Sequence, residues 1–285
     1  MNYIIAYSYY EKYVNNLLEQ TRKICENLSA SHIIFVSTHQ LDLASLYKKT
    51  TNIKCCIDNL RHDNKLWEFG GYQIGLDHLR DLIKQGDSLY IINDTAGIHS
   101  FLPMWIIKRF KKLTSMSSNV DSPVIVGELD RHYTDSDLRV LNMDANKWIR
   151  SCVFSLNYAA LESISWKFSH ADFIHSIIKK NDKNLSLKPI ANIALELRIN
   201  NWLFNEAPEN RWQSSVGYIT DANFNFIKNK ALSILSEKVM SAAIFESNGR
   251  LVNFIPDNKF IYNVYRLERR VWYSLKKIFK SKFGF

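Results

Sequence analysis

The sequence is poor in the features that mark several protein classes. It holds only 9 Gly and 5 Pro in 285 residues, too few for a fibrous or low-complexity chain. No apolar run approaches the ~20 residues that a membrane-crossing helix needs. The opening MNYIIAYSYYEKY lacks a basic segment, a long apolar stretch and a small-residue cleavage site, so no secretory leader is expected. The 4 cysteines, Cys25, Cys55, Cys56 and Cys152, form no C-x-x-C pair, which points to reduced thiols in the cytoplasm rather than a disulfide framework. A phosphate-binding G-x-x-x-x-G-K-[ST] loop, a G-x-S-x-G nucleophile turn and a Cys-His zinc spacing are missing as well. His170 and His175 are five apart, the wrong offset for a shared metal face on a helix. The other histidines are scattered and read as surface or satisfied core residues.

What is present is an ordinary globular composition with a basic balance. Hydrophobic residues make up 46%, enough for one sizeable core, and 37 Lys+Arg against 28 Asp+Glu give a net charge of +9. That sign favours phosphorylated small molecules, an anionic membrane surface or nucleic acid as partners.

Apolar runs and helical periodicities alternate through the first half. Tyr3 to Tyr7, Ile33 to Val36, Ile53 to Ile57, Leu89 to Ile92 and Val124 to Val126 predict strands. Val14 to Leu28, Gly71 to Ile83 and Leu102 to Leu113 predict helices between them. The alternation predicts a mostly parallel sheet flanked by helices, the α/β (Rossmann-like) class. In such sheets ligands bind beyond the carboxyl ends of the strands. The residues to interrogate are therefore Ser8 and Tyr9, Ser37 to His39, Asp58 to Arg61, Asn93 to Thr95 and Gly127 to Asp130. The second half is more helical, with helices predicted over Ile190 to Phe204 and Phe224 to Leu235. One domain, residues 1–259, is expected, with a nucleotide-binding half of about 1–130 and a second half of about 131–259. A helical C-terminal extension covers 260–285.

The segment from Asp63 to Thr95 carries the chemistry. It reads as a polar loop, a Gly-Gly break, an amphipathic helix, a buried strand and then Asn-Asp-Thr. Gly70 and Gly71 would let a diphosphate approach the backbone, and the following helix N-terminus would offer free N–H groups to it. Asp94 could hold a divalent cation or a sugar hydroxyl; the plainer alternatives are a structural Gly pair and a turn-capping Asp.

GGYQIGLDHL followed by YIINDT resembles the nucleotide-binding half of GT-A glycosyltransferases. It resembles more closely the rhamnan synthesis F family of polysaccharide glycosyltransferases, which combine an N-x-G-x-D-x-x-x-W/Y loop with a strand ending in N-D-S. WIRSCVFSL, Trp148 to Leu156, is similar to a downstream aromatic segment of that family. The resemblance implies a GT-A-like fold and a hexosyl- or deoxyhexosyltransferase, inverting, that takes a nucleotide-sugar donor. Its acceptor would be a lipid-linked or growing bacterial surface polysaccharide such as O antigen or capsule. Asp58, Asn59, Asp63, Gly70, Gly71, Asn93, Asp94 and Thr95 would bind the donor. Asp94 would hold Mg²⁺ or Mn²⁺. GT-A enzymes usually present D-x-D, and here one carboxylate stands where two are usual. Without metal, Arg61 and Lys65 are the nearest cations for the leaving diphosphate. A literal D-x-D at Asp135-Ser136-Asp137 reads instead as a helix start capped by Thr134.

Inversion needs a carboxylate base on the acceptor side. Glu196 is the first candidate and Asp172 the second, against the plain alternative of Glu196 on a solvated helix face. Tyr262 to Phe285 holds seven Lys/Arg and one acid, with Val264, Leu267, Val271, Leu275 and Ile278 on one stripe. Such a helix suits an anionic membrane surface, or docks on the core with its basic face in water. The corresponding location is cytoplasmic, peripheral on the inner face of the cell membrane. Nucleic acid is not expected, although the alternative to an enzyme is a non-catalytic nucleic-acid- or anionic-surface-binding protein, resting on the net charge and on the interleaved aromatic and basic residues of the C-terminus.

Overall fold

A computed structural model describes all residues except 27, 64–65, 132–136, 169, 205–217 and 284–285. The Asp135-Ser136 part of the literal D-x-D, its capping Thr134, and Lys65 lie outside the described residues. The elements run β1 (Asn2–Ser8), α1 (Val14–Cys25), β2 (Ala30–Ser37), α2 (Leu43–Thr50), β3 (Cys56–Arg61), α3 (Trp67–Leu79), β4 (Ser88–Asn93), α4 (Met104–Ser117) and β5 (Val124–Arg131). They continue with the short β6 (Arg139–Val140) and β7 (Met143–Asp144), the long β8 (Lys147–Asn157), α5 (Tyr158–Ser163) and α6 (Ala171–Ile177). The chain closes with β9 (Lys179–Asn181), β10 (Asn184–Ser186), α7 (Ile193–Phe204), α8 (Phe224–Glu246), β11 (Arg250–Asn253) and α9 (Lys259–Phe283).

Seven strands form one sheet in the order β11-β5-β8-β4-β1-β2-β3. All neighbours are parallel except those of β8, which runs antiparallel to both β4 and β5. This is the mostly parallel α/β sheet with a C-terminal helix that the sequence predicted, with one reversed strand in it. Alternation along the strands decides which layer each residue joins. Ile4 and Ala6 of β1 and Tyr90 and Ile92 of β4 pack under α1, α2 and α4. Tyr3, Ile5 and Tyr7, with Leu89 and Ile91, pack under α3, α5 and α8. A third cluster joins α6, α7 and α8 around Leu195, Ile199, Leu232 and Leu235.

Two element boundaries differ from expectation and move the site. The third strand starts at Cys56 rather than Ile53, so Asp58 and Asn59 lie inside β3 instead of beyond its end. The third helix starts at Trp67 rather than Gly71, so Gly70 and Gly71 lie inside it, both buried, and the Gly70 N–H is already donated to Leu66 O at 3.2 Å. These glycines set the packing distance of α3 on the sheet. A Cβ on Gly71 would stand 2.3 Å from Tyr7 Cδ2, and one on Gly75 2.7 Å from Ile5 Cγ2. The close approach explains both residues. Gly71→Ala therefore overpacks the α3–β1 contact and should destabilise the fold by about 1–3 kcal/mol, more than the ~0.5–1 kcal/mol gained in helix propensity. Urea unfolding with an unchanged slope and a lowered midpoint checks it.

Candidate functional site

The order of the sheet locates the crevice. The chain leaves β1 toward β2 and β3 on one side, then crosses back to β4 on the other side of β1. Such a reversal separates the loops that follow β1 and β4, and ligands of open α/β sheets bind there. Asn93, Asp94 and Thr95 follow β4 at this place, and Ser8, Tyr9 and Tyr10 follow β1.

Asp94 is a buried turn cap, 2% exposed. Its Oδ2 accepts the N–H of Tyr9 at 2.8 Å and of Tyr10 at 2.6 Å. Its own N–H donates to Tyr7 O at 3.0 Å. Asn16 Nδ2 reaches the Asp94 carbonyl at 2.9 Å and the Ala96 carbonyl at 2.7 Å. Burial pushes the Asp94 carboxyl up to about 6, against the two amide bonds that lower it. Two of the groups expected to face a cation are engaged within the protein. The carboxylate oxygen that faces the crevice backbone is spent on two amides, and Asn93, at the place of a second carboxylate, gives its Oδ1 to Thr95 Oγ1 at 2.6 Å and Thr95 N at 3.0 Å. The expected metal role of Asp94 would thus have to run through its other carboxylate oxygen, Oδ1.

A chain of polar contacts leads from Asn93 to two glutamates. Asn93 Nδ2 donates to Tyr72 Oη at 3.1 Å, and Tyr72 Oη donates to Ser151 O at 2.9 Å. Ser151 then joins the acids. Its N–H donates to Glu237 Oε1 at 2.7 Å and its hydroxyl to Glu68 Oε1 at 3.3 Å. The Ser233 hydroxyl also donates to Glu68. Burial first, and then the Glu68 charge, raise the Glu237 carboxyl. Thr95 Oγ1 lies 3.5 Å from Cys152 Sγ, whose thiol burial pushes up to about 11. Two carboxyls raised chiefly by burial, Asp94 and Glu237, collected at a switch point, are the usual electrostatic mark of a functional site.

The other predicted residues go elsewhere. Asp58 points to the α3 layer, where it accepts from His32 and His78. Asn59 points to the opposite layer and accepts the Leu43 N–H at 3.1 Å, at the start of α2. Both placements follow from the strand starting three residues later than expected. Asp63 stands beyond β3, highly exposed, with His62 Nε2 3.7 Å away. Gly70 and Gly71 are helix-packing residues, as described above. Glu196 accepts the Leu187 N–H at 2.6 Å and Asp172 is exposed in the first turn of α6; neither bonds to the Asn93–Glu237 chain.

Glu68 and Glu237 were missed, yet both left a signal. The N-x-G-x-D-x-x-x-W/Y pattern laid on Asn64 to Tyr72 puts Glu68 at its acidic position and Leu66 at its glycine. Leu66 takes φ 71°, a left-handed backbone that glycine adopts without strain. In α8, Ser233, Glu237 and Ser241 recur every four residues on one face and meet Glu68, Ser151 N and Ile149 N in turn.

A second concavity, about 420 Å³, opens where β5 and β11 end against α9. Arg150 crosses it, 3.2 Å from both Glu128 and Asp130, and Arg266, Arg269 and Arg270 line the α9 wall. Glu128 is 7% exposed, and its Oε2 has no hydrogen-bond partner among the described residues.

The chain matches no protein-family model and no curated protein. Among solved structures it is similar to HddC from Yersinia pseudotuberculosis, with 13% identity over 57% of this chain and 79% of that one and a TM-score of 0.35. It is also similar to 4-diphosphocytidyl-2C-methyl-D-erythritol synthase, with 11% identity over 58% and 79% and a TM-score of 0.36. Likeness at this level carries nothing about activity.

The Asp94 carboxyl gives a test of the crevice itself. Its folded value of about 6 lies above the ordinary 3.8, so the folded state binds the proton more tightly than the unfolded chain does. Stability contributed by the neutral group is complete below about pH 4 and is lost as pH rises through about 6. At ~1.4 kcal/mol per pH unit the loss is about 3 kcal/mol. Unfolding free energies of the parent minus those of Asp94→Asn should fall by that amount between pH 4 and 6.5. A flat difference would mean that Asp94 is solvated.

Proposed function

We propose that the chain is a glycosyltransferase that moves a sugar from a nucleotide-sugar donor to a lipid-linked or growing bacterial surface polysaccharide. The single observation that carries the reading is the convergence of Asn93, Glu68 and Glu237, through Tyr72 and Ser151, at the β1/β4 switch point. The resemblance of Asn64–Tyr72 and Asn93–Thr95 to the rhamnan synthesis F motifs falls on those same two segments.

In this reading the donor lies across the carboxyl ends of β1 and β4, with Asp63 at the rim beside its base or ribose. Asp94 shapes the floor by holding the Tyr9–Tyr10 turn rather than by touching the donor. Glu237 is the base that takes the acceptor hydroxyl proton, since a raised carboxyl retains more driving force at neutral pH than an ordinary one. Glu68 orients the sugar or the acceptor hydroxyl beside it. The leaving diphosphate meets side-chain cations, Arg61 at the end of β3 and Arg150 in β8 among them, and the N–H groups of the first turn of α3.

The membrane part of the reading rests on α9. Val264, Leu267, Val271 and Leu275 are 38%, 64%, 51% and 48% exposed on one stripe, while the opposite side docks through Tyr265, Trp272 and Tyr273 onto the loop after β4. An exposed apolar stripe flanked by arginines fits an anionic bilayer surface, and the Arg-lined concavity beside it suits the phosphate of a lipid-linked acceptor. Among the described residues no helix is long and apolar enough to cross a membrane.

Thermal melting with UDP, GDP, dTDP and CMP, with and without Mn²⁺, tests the donor. One nucleotide should raise the melting temperature; failure of all four, in both conditions, overturns the reading. Glu237→Gln should lower nucleotide release from the donor sugar by about 10²–10⁴-fold while leaving that melting shift in place. Anionic vesicles should sediment the parent, and the double variant Leu267→Asp, Val271→Asp should stay in the supernatant.

A further inference from the structure

Outside the crevice, one cluster has the composition and spacing of a metal centre. His32 lies near the start of β2, Asp58 in β3 and His78 in the last turn of α3. In the β2–β3 register His32 faces Cys56 and Ile34 faces Asp58, so His32 and Asp58 are diagonal neighbours on the layer that α3 covers. Asp58 Oδ2 lies 2.7 Å from His32 Nε2 and 3.2 Å from His78 Nε2. The three ligand atoms all fall within 4.8 Å of one another.

From these observations we propose that His32, Asp58 and His78 form a binding site for Zn²⁺ that clips β2, β3 and α3 together at the amino end of the sheet. Two imidazoles and one carboxylate are the donor set of many zinc centres, and a tetrahedral ion with bonds of about 2.0–2.2 Å spaces its ligand atoms by about 3.3 Å. The His78–Asp58 distance already has that value, and the His32–Asp58 pair needs to open by about half an ångström, within reach of small side-chain rotations. Both imidazoles address the same carboxylate oxygen through Nε2, so one cation can replace their contacts with it after only those small rotations. His78 and Asp58 are 41% and 43% exposed at their side chains, against 15% for His32. Solvent thus reaches the fourth position, which water fills. The site lies at the opposite end of α3 from Glu68 and is independent of the donor crevice. A scaffold made of three separate elements also distinguishes it from a chance surface pair, because the two histidines are 46 positions apart in sequence and meet only through the fold.

Calorimetry with Zn²⁺ alone, on tag-free, metal-stripped protein carrying Cys56→Ser to remove the nearest thiol, tests the site. One equivalent should bind, with the melting temperature raised, and Co²⁺ should give the visible absorption of a tetrahedral nitrogen–oxygen site. His78→Gln replaces a partly exposed side chain and should keep the fold while weakening Zn²⁺ about a hundredfold or more; Asp58→Asn should do the same. Equal binding by the parent and both variants, or no stoichiometric binding by the parent, overturns the proposal. Nucleotide-induced melting shifts should survive in His78→Gln, so failure here and failure of the donor reading are separable.

Discussion

The carboxylate of Asp94 is spent inside the protein, and the shape of the carboxyl edge follows from that. A buried carboxylate needs compensation, and it finds it in the Tyr9 and Tyr10 amides, which fold the chain leaving β1 over the end of β4. That turn brings Tyr9 against Trp67, with ring centroids 5.7 Å apart. It also fixes where α3 can start. Because Gly71 and Gly75 let α3 rest on Tyr7 and Ile5 without a Cβ between them, the first turn of that helix delivers Glu68 to Ser151 and Ser233. The acid that the sequence advertises as a ligand holder acts as the keystone of the turn, and the Glu68–Ser151–Glu237 cluster lies one layer further along.

Much of the fold was legible because it rests on local periodicity. The apolar runs of β1, β2, β4 and β5, and the stripes of α1 and α4, are visible within windows of ten residues. β3 was misplaced because Ile53-Lys54-Cys55-Cys56-Ile57 reads as apolar while pairing with β2 begins only at Cys56, and pairing is a long-range event. The start of α3 was misplaced because Gly-Gly normally breaks a helix, whereas here the break is Leu66 in a left-handed conformation and the glycines serve tertiary packing. The direction of β8 could not be read at all. Nothing in a single strand's residues separates an antiparallel insertion from a parallel neighbour when both faces are covered.

The site was less legible, for a related reason. Asn93 and Asp94 could be found because the carboxyl ends of strands are predictable places. Glu237 sits 169 positions after Glu68 and 144 after Asn93, far from any recognisable motif, and its partner Ser151 donates a backbone amide that no composition reveals. The four-residue polar stripe of α8 was the available sign. His32 and His78 left none, since their proximity is created by the register of β2 on β3 and the length of α3.

Charge distribution connects these pieces. The +9 net charge is not spread evenly: acids collect where β4, β8 and α8 meet, and arginines where β5, β11 and α9 meet. Arg150 stands at the boundary, its guanidinium held by Glu128 and Asp130 at 3.2 Å each, two residues along β8 from Cys152 and one from Ser151. On the proposed reading that boundary separates proton removal from phosphate recognition. A base works better away from arginines that would hold its proton off, and a phosphate binds better away from carboxylates that repel it. The antiparallel β8 supplies both halves from one strand, Ser151 to the acids and Arg150 to the anion side, because successive residues of a strand face opposite layers. The reversed strand, which the sequence did not announce, is what lets a single edge of the sheet offer two electrostatically opposed surfaces side by side.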